Sequence, residues 1–131
     1  MSYYISTTLQ NSSFDEAIER ITAELKKEGF GILTEIDIKA TLQKKLDVDF
    51  YNYKILGACN PPFAYKALLA EDKIGTMLPC NVIVQEKKPG TIEVSAVDPV
   101  ASMVSVKNEH LGELALEIQK RLEKVINSLQ K

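Results

Sequence analysis

The sequence predicts an α+β domain with a mostly antiparallel sheet and a long C-terminal helix. Three observations predict it. The last two strand-like segments are joined by Lys87-Lys88-Pro89-Gly90, a turn that makes them a hairpin. Beyond them, Leu111, Leu114, Ala115, Ile118, Leu122, Val125, Ile126 and Leu129 keep a 3.6-residue period, which marks a long helix with one buried stripe. The chain has 131 residues, with no internal repeat, no low-complexity tract and no Pro/Gly/Ser-rich linker. Residues 1–131 therefore read as one domain.

The elements follow in order. Tyr3 to Leu9 is β-branched and aromatic and predicts a strand. Ser13-Phe14-Asp15-Glu16 matches a capping box, and Phe14, Ala17, Ile18, Ile21 and Leu25 continue it as an amphipathic helix ending at Gly29. Phe30 to Ile36 predicts a second strand. Asp37 then caps a short helix whose apolar positions are Ile38, Leu42 and Leu46. Tyr51 to Ala58 predicts a third strand, with Tyr51, Tyr53 and Ile55 on one face. Asn60 suits an N-cap and Pro61 the first helical position, so a helix is expected over Pro61 to Ala70. Met77 to Glu86 predicts a fourth strand, and Pro79 near its start implies an edge or a bulge. Thr91 to Val97 is its hairpin partner. Asp98-Pro99 opens a short helical turn, and Asn108 caps the terminal helix.

Composition excludes several functions. Sixteen basic and eighteen acidic residues give a net charge of −2, and the pairs Lys26-Lys27, Lys44-Lys45 and Lys87-Lys88 are dispersed. A nucleic-acid partner would call for a basic face, so none is expected. No apolar run approaches the ~20 residues of a membrane span. The opening segment Met1-Ser2-Tyr3-Tyr4-Ile5-Ser6-Thr7 lacks a signal peptide's basic and apolar regions. No membrane partner is expected, and the expected compartment is the cytoplasm. Two cysteines cannot make a four-thiolate zinc site, and neither sits in a Cys-x-x-Cys pair. No phosphate loop, Gly-x-Ser-x-Gly or His-Glu-x-x-His is present. The one histidine, His110, reads as a solvated residue at the start of the last helix.

One pattern is doubled. Cys59-Asn60-Pro61 ends one strand, and Pro79-Cys80-Asn81 starts another. If those strands are antiparallel, Cys59 and Cys80 lie at the same end of the sheet. They then form a redox-active dithiol or two soft metal ligands, or they are the small buried apolar residues that free cysteines usually are. The start of the Pro61-Pro62 helix beside them would favour a thiolate or an anion through its backbone amides. A second candidate set is Glu35, Asp37 and Asp98, carboxylates for a cation or for acid–base work. Asp37 and Asp98 also have local roles as caps.

The same residues carry a family resemblance. The run Gly29 to Thr41, with Glu35, Asp37 and Lys39, is followed by Tyr53 to Pro62, with Gly57, Cys59, Asn60 and Pro61. Leu78-Pro79-Cys80-Asn81-Val82 and Val97-Asp98-Pro99-Val100 complete the set. Together these resemble the prokaryotic domain of unknown function 302 family over nearly the whole chain. The resemblance implies a β-α-β4-α core similar to one half of the TATA-box-binding protein, with added short helices, and a homodimer. It implies no activity, cofactor or residue role. The function expected from these readings is a non-catalytic, homodimeric domain for a small-molecule ligand or for protein interaction. The alternative is a redox or soft-metal protein using Cys59 and Cys80.

Overall fold

The computed structural model describes residues 2–130; Met1, the first residue of the segment read for a signal, and Lys131, the end of the expected domain, lie outside them. The strands are β1 (Tyr4–Gln10), β2 (Gly31–Asp37), β3 (Asn52–Cys59), β4 (Cys80–Lys88) and β5 (Thr91–Val97). The helices are α1 (Phe14–Lys27), α2 (Ile38–Leu46), α3 (Pro61–Ala70), α4 (Pro99–Ser102) and α5 (Glu109–Ser128), with a 3₁₀ segment at Asp72–Met77. One sheet holds all five strands in the order β1-β5-β4-β3-β2, and every neighbouring pair is antiparallel. The protein has an α+β fold, as the element order predicts.

Local chemistry sets the helix starts. The Ser13 hydroxyl accepts from the Glu16 amide at 3.1 Å. Asp37 accepts from the Ala40 amide at 2.9 Å. Asp98 accepts from Val100 at 3.0 Å, and Asn108 from Leu111 at 3.2 Å. Each satisfies an amide that the first helical turn leaves without a partner. The turn after α1 requires Gly29, whose φ is +88°.

Packing follows the alternation of the strands. Leu56 and Ala58 of β3, Val82 and Val84 of β4, and Ile92, Val94 and Ala96 of β5 share one face and are buried. Ala17, Ile21 and Leu25 of α1 and Ile118, Leu122 and Ile126 of α5 cover that face, closing the main core. A smaller cluster of Ala67, Ile74 and Leu111 lies apart from it, under α3 and the 3₁₀ segment. The opposite sheet face carries Tyr4, Ile36, Tyr53, Ile55, Ile83 and Val97. No helix among the described residues is long and apolar enough to cross a membrane.

Two expectations, both about β4, are corrected. β4 begins at Cys80 rather than Met77, because buried Ile74 draws the preceding residues into the 3₁₀ segment. β4 is also an interior strand between β5 and β3, not an edge. Pro79 is accommodated because it precedes the first ladder residue, where its missing amide interrupts no pairing. The apolar positions of α2 do not join the core: none of its residues is buried, and Leu46 is 65% exposed. This helix caps the far end of β2 and β3, beyond the reach of α1 and α5.

Candidate functional site

The strand ends that carry the doubled motif border a cavity of about 360 Å³ that opens to the surface. Its floor is the end of the sheet, with Ala58, Cys59, Pro79 and Cys80. Its walls are Phe63, Ala64, Ala67 and Leu68 of α3, and Leu111, Leu114, Ala115 and Ile118 of α5. Phe30, Leu33, Asn60, Gly75, Leu78, Pro99 and Met103 complete it, so none of its lining residues is charged. The cavity lies along the seam between the main core and the smaller cluster, since both contribute to its walls.

β3 and β4 are antiparallel, with Cys80 opposite Ala58 and Cys59 opposite Gly31. The two cysteines are therefore diagonal neighbours, with Cα atoms about 6 Å apart from ordinary strand spacings. The pleat assigns them to alternate faces, so they do not present facing Cβ atoms as a disulfide needs. Both are free thiols. Burial first, and a charge on Cys59 second, push the Cys80 thiol from 9.0 up to about 11. Cys80 thus keeps its proton at neutral pH, the opposite of what a nucleophile or soft-metal ligand needs.

The folded protein holds the Cys80 proton more tightly than the unfolded chain does. That contribution to stability is complete below pH 9 and is lost as pH rises toward 11. In urea titrations across this range, the wild-type midpoint should fall more steeply than that of Cys80→Ala. Parallel curves would show that the thiol is not held protonated by its surroundings.

The remaining motif residues divide. Asn60 is buried at the cavity edge in the N-cap position, but its side chain does not cap α3. Its Nδ2 donates instead to the Glu28 carbonyl at 3.2 Å, across the end of α1. Arg121 donates to the same oxygen at 3.0 Å, and its guanidinium lies 5.0 Å from the centre of the Phe63 ring. Lys124 reaches the Glu28 carboxylate at 3.3 Å. These contacts tie α1, α3 and α5 together beside the cavity. Pro61 and Pro62 occupy the first two positions of α3 and have no N–H. The expected anion- or thiolate-favouring helix start therefore lacks two of its four free amides. Asn81 pairs with Gly57 on the opposite face and is exposed, outside the cavity.

The carboxylate set does not assemble. Asp37 pairs with Lys54 at the far end of the sheet, whereas Asp98 follows β5 at the cysteine end. Glu35 is exposed, with Lys54 at 3.8 Å. Lys39 bonds to Asp49 at 3.0 Å and to the Phe50 carbonyl, holding the loop before β3. Asp98 caps α4 and accepts two bonds from Gln119 at 3.0 and 3.1 Å, which anchors α4 to α5. Among the described residues no three His, Cys, Asp or Glu side chains are grouped to hold a metal ion.

Sequence reasoning missed Phe63, Arg121 and Gln119, and missed that α3 is a cavity wall. One signal was available for the last: after its two prolines α3 is Ala, Leu, Phe and Tyr with a single lysine, so it has no polar face to give to solvent.

The family described as domain of unknown function DUF302 matches residues 5–129. A solved structure, that of an uncharacterized conserved protein DUF302 from Bacillus stearothermophilus, has a TM-score of 0.88 to this chain. It is 30% identical, and the match covers 97% of this chain and 98% of that one. No curated protein matches. The family match and the shared fold extend across the sheet, the flanking helices and both Cys-Asn segments, and the chain belongs to the DUF302 family.

Proposed function

We propose that this domain is a non-catalytic homodimer that holds a small apolar ligand in the cavity between α3, α5 and the Cys59 and Cys80 strand ends. The observation that carries the reading is the cavity itself, about 360 Å³ with no charged residue in its lining. Sites for small molecules are concave, mostly apolar and roughly 300–1,000 Å³. The thiols are the only side chains in the lining that can ionise, and Cys80 is held protonated. This favours binding over the thiol-redox alternative.

A thermal-shift screen of small apolar compounds tests it, because a ligand that binds only the native state raises its apparent stability. Rises should appear for apolar compounds and be absent for sugars and nucleotides. A flat response to every apolar compound would sink the reading. Alkylation of Cys80 in a Cys59→Ala background separates the alternative: burial alone still raises the thiol, so the rate should inflect above pH 9. An inflection near neutrality would restore a reactive thiol.

The sheet face turned away from α1 and α5 supports the homodimer. Ile36, Ile55 and Ile83 form an apolar band across β2, β3 and β4, with Tyr4 exposed on β1. Light scattering should give twice the 14.6 kDa chain mass for the wild type and the chain mass for Ile36→Lys. A wild-type mass of one chain at every concentration would remove the dimer.

A further inference from the structure

We infer that the ligand of this cavity is the aliphatic chain of a single-tailed amphiphile, which enters between Leu33 and Leu68 and leaves its polar head in water. This rests on the ligand-binding reading above and narrows it to a chemical class.

The interior decides against polar ligands. Apart from the two cysteines, Asn60 is the only lining residue with a polar side chain, and its Nδ2 is taken by the Glu28 carbonyl. Beyond what the Asn60 amide can still offer, polar atoms of a ligand held there would lose water without gaining side-chain partners, which costs more than an apolar contact returns.

The path to solvent decides for a chain. Leu33 and Leu68 both line the cavity, yet they are 67% and 43% exposed. The cavity therefore reaches the surface through apolar side chains. Tyr65 and Leu69 on α3 and Met77 on the following segment extend the exposed apolar surface. A helix apolar on all sides is ordinarily buried, but α3 opens three large side chains to water. A compact hydrocarbon sealed inside needs no apolar route outward. A chain with a head in water does.

The walls can admit it. α3 has no side-chain cap, and the 3₁₀ segment is likewise uncapped. Ala67 of α3 and Ile74 of the 3₁₀ segment belong to the smaller cluster with Leu111, and of α3 only Phe63, at its start, packs against the main core. Parting the seam between the two clusters opens the cavity and leaves the packing of α1 and α5 on the sheet intact. At ~30 Å³ per water-sized group, the volume takes on the order of a dozen such groups, which suits one tail rather than two.

Calorimetric titration with n-alkyl carboxylates of about six to about fourteen carbons, below their micelle concentrations, tests this: affinity should rise about fourfold per added methylene, then level once the tail outgrows the cavity. Alkanols and alkyltrimethylammonium ions of equal length should bind within a few-fold of the carboxylates, because the head stays outside. Ala64→Phe, which fills the cavity from α3, should weaken binding at least about tenfold with an unchanged circular dichroism spectrum. Leu68→Gln, at the exposed mouth, is the second variant and should weaken every member of the series. Naphthalene binding that Ala64→Phe abolishes, with no dependence on tail length, would overturn the amphiphile and leave the ligand-binding reading standing. No binding of tails or of naphthalene would end both. Co-sedimentation with phosphatidylcholine vesicles, without binding of free carboxylates, would overturn the proposal and make the α3 surface a membrane contact.

Discussion

Leu122→Ala is expected to be among the most destabilising single truncations in this protein. Leu122 is fully buried on α5, in the cluster that joins both long helices to the sheet. Removing its side chain loses the transfer free energy of the buried methyls and leaves a void that close packing cannot refill, together ~2–5 kcal/mol. At the stability of an ordinary domain, ~5–15 kcal/mol, this is a large fraction of the whole. Urea unfolding should show the midpoint falling with little change in slope. Leu116→Ala on the same helix is the control. Leu116 is 49% exposed and outside the core cluster, so its truncation should shift stability by ~0.5 kcal/mol or less. Equal losses at the two positions would contradict the assignment of the buried stripe. Leu122 is not in the cavity lining. Wherever the variant remains folded, ligand affinity should therefore be unchanged, which separates stability from binding.

Gly57→Ala should cost ~1–3 kcal/mol, although it adds one methyl group to a strand. A Cβ at this position would lie 2.2 Å from Thr34 Oγ1 and 2.8 Å from Pro79 Cγ. The Thr34 hydroxyl can turn aside, but the Pro79 ring cannot, and it adjoins the first ladder residue of β4. The relief therefore comes from shifting the start of β4 against β3, beside Cys80 and the cavity floor. The expected result is a lower melting temperature together with weaker ligand binding. Thr34→Ala in the same chain should return only part of the loss. Full recovery by Thr34→Ala would assign the whole clash to the hydroxyl, and an unchanged melting temperature would show that the strands have slack here.

Much of this architecture was legible from short-range chemistry. Ser13 with Glu16, Asp37 with Ala40, Asp98 with Val100 and Asn108 with Leu111 are contacts two or three residues apart. A pattern of residue types can announce them because both partners are in view at once. The 3.6-residue period of α5 was equally clear, since one stripe must be buried along its whole length. The conditional reading of the cysteines also had the right form: antiparallel β3 and β4 do bring Cys59 and Cys80 to one end of the sheet.

Errors arose where a residue had both a local and a distant option. Asn60 had the residue type of a cap and sits in the cap position, but a carbonyl 32 positions back in the chain takes its side chain. Pro79 reads as an edge signal, yet it precedes an interior strand. Of the two readings of Glu35, Asp37 and Asp98, the local one holds: Asp37 and Asp98 cap helices, and the register of the strands puts them at opposite ends of the sheet.

By itself, then, the sequence determined the α+β class, the helix caps, the hairpin, the family motif and the thiol pair as a place to look. Tertiary structure alone decided that those thiols border an uncharged cavity, that Cys80 keeps its proton, and that Glu28, Asn60, Arg121 and Phe63 tie three helices together there. The physical reason is range. Caps and periodicities are satisfied within one turn of chain, where composition is enough to reveal them. A cavity is a volume left between elements far apart in sequence, and its polarity belongs to the packing of α3 and α5 over the sheet rather than to any one segment.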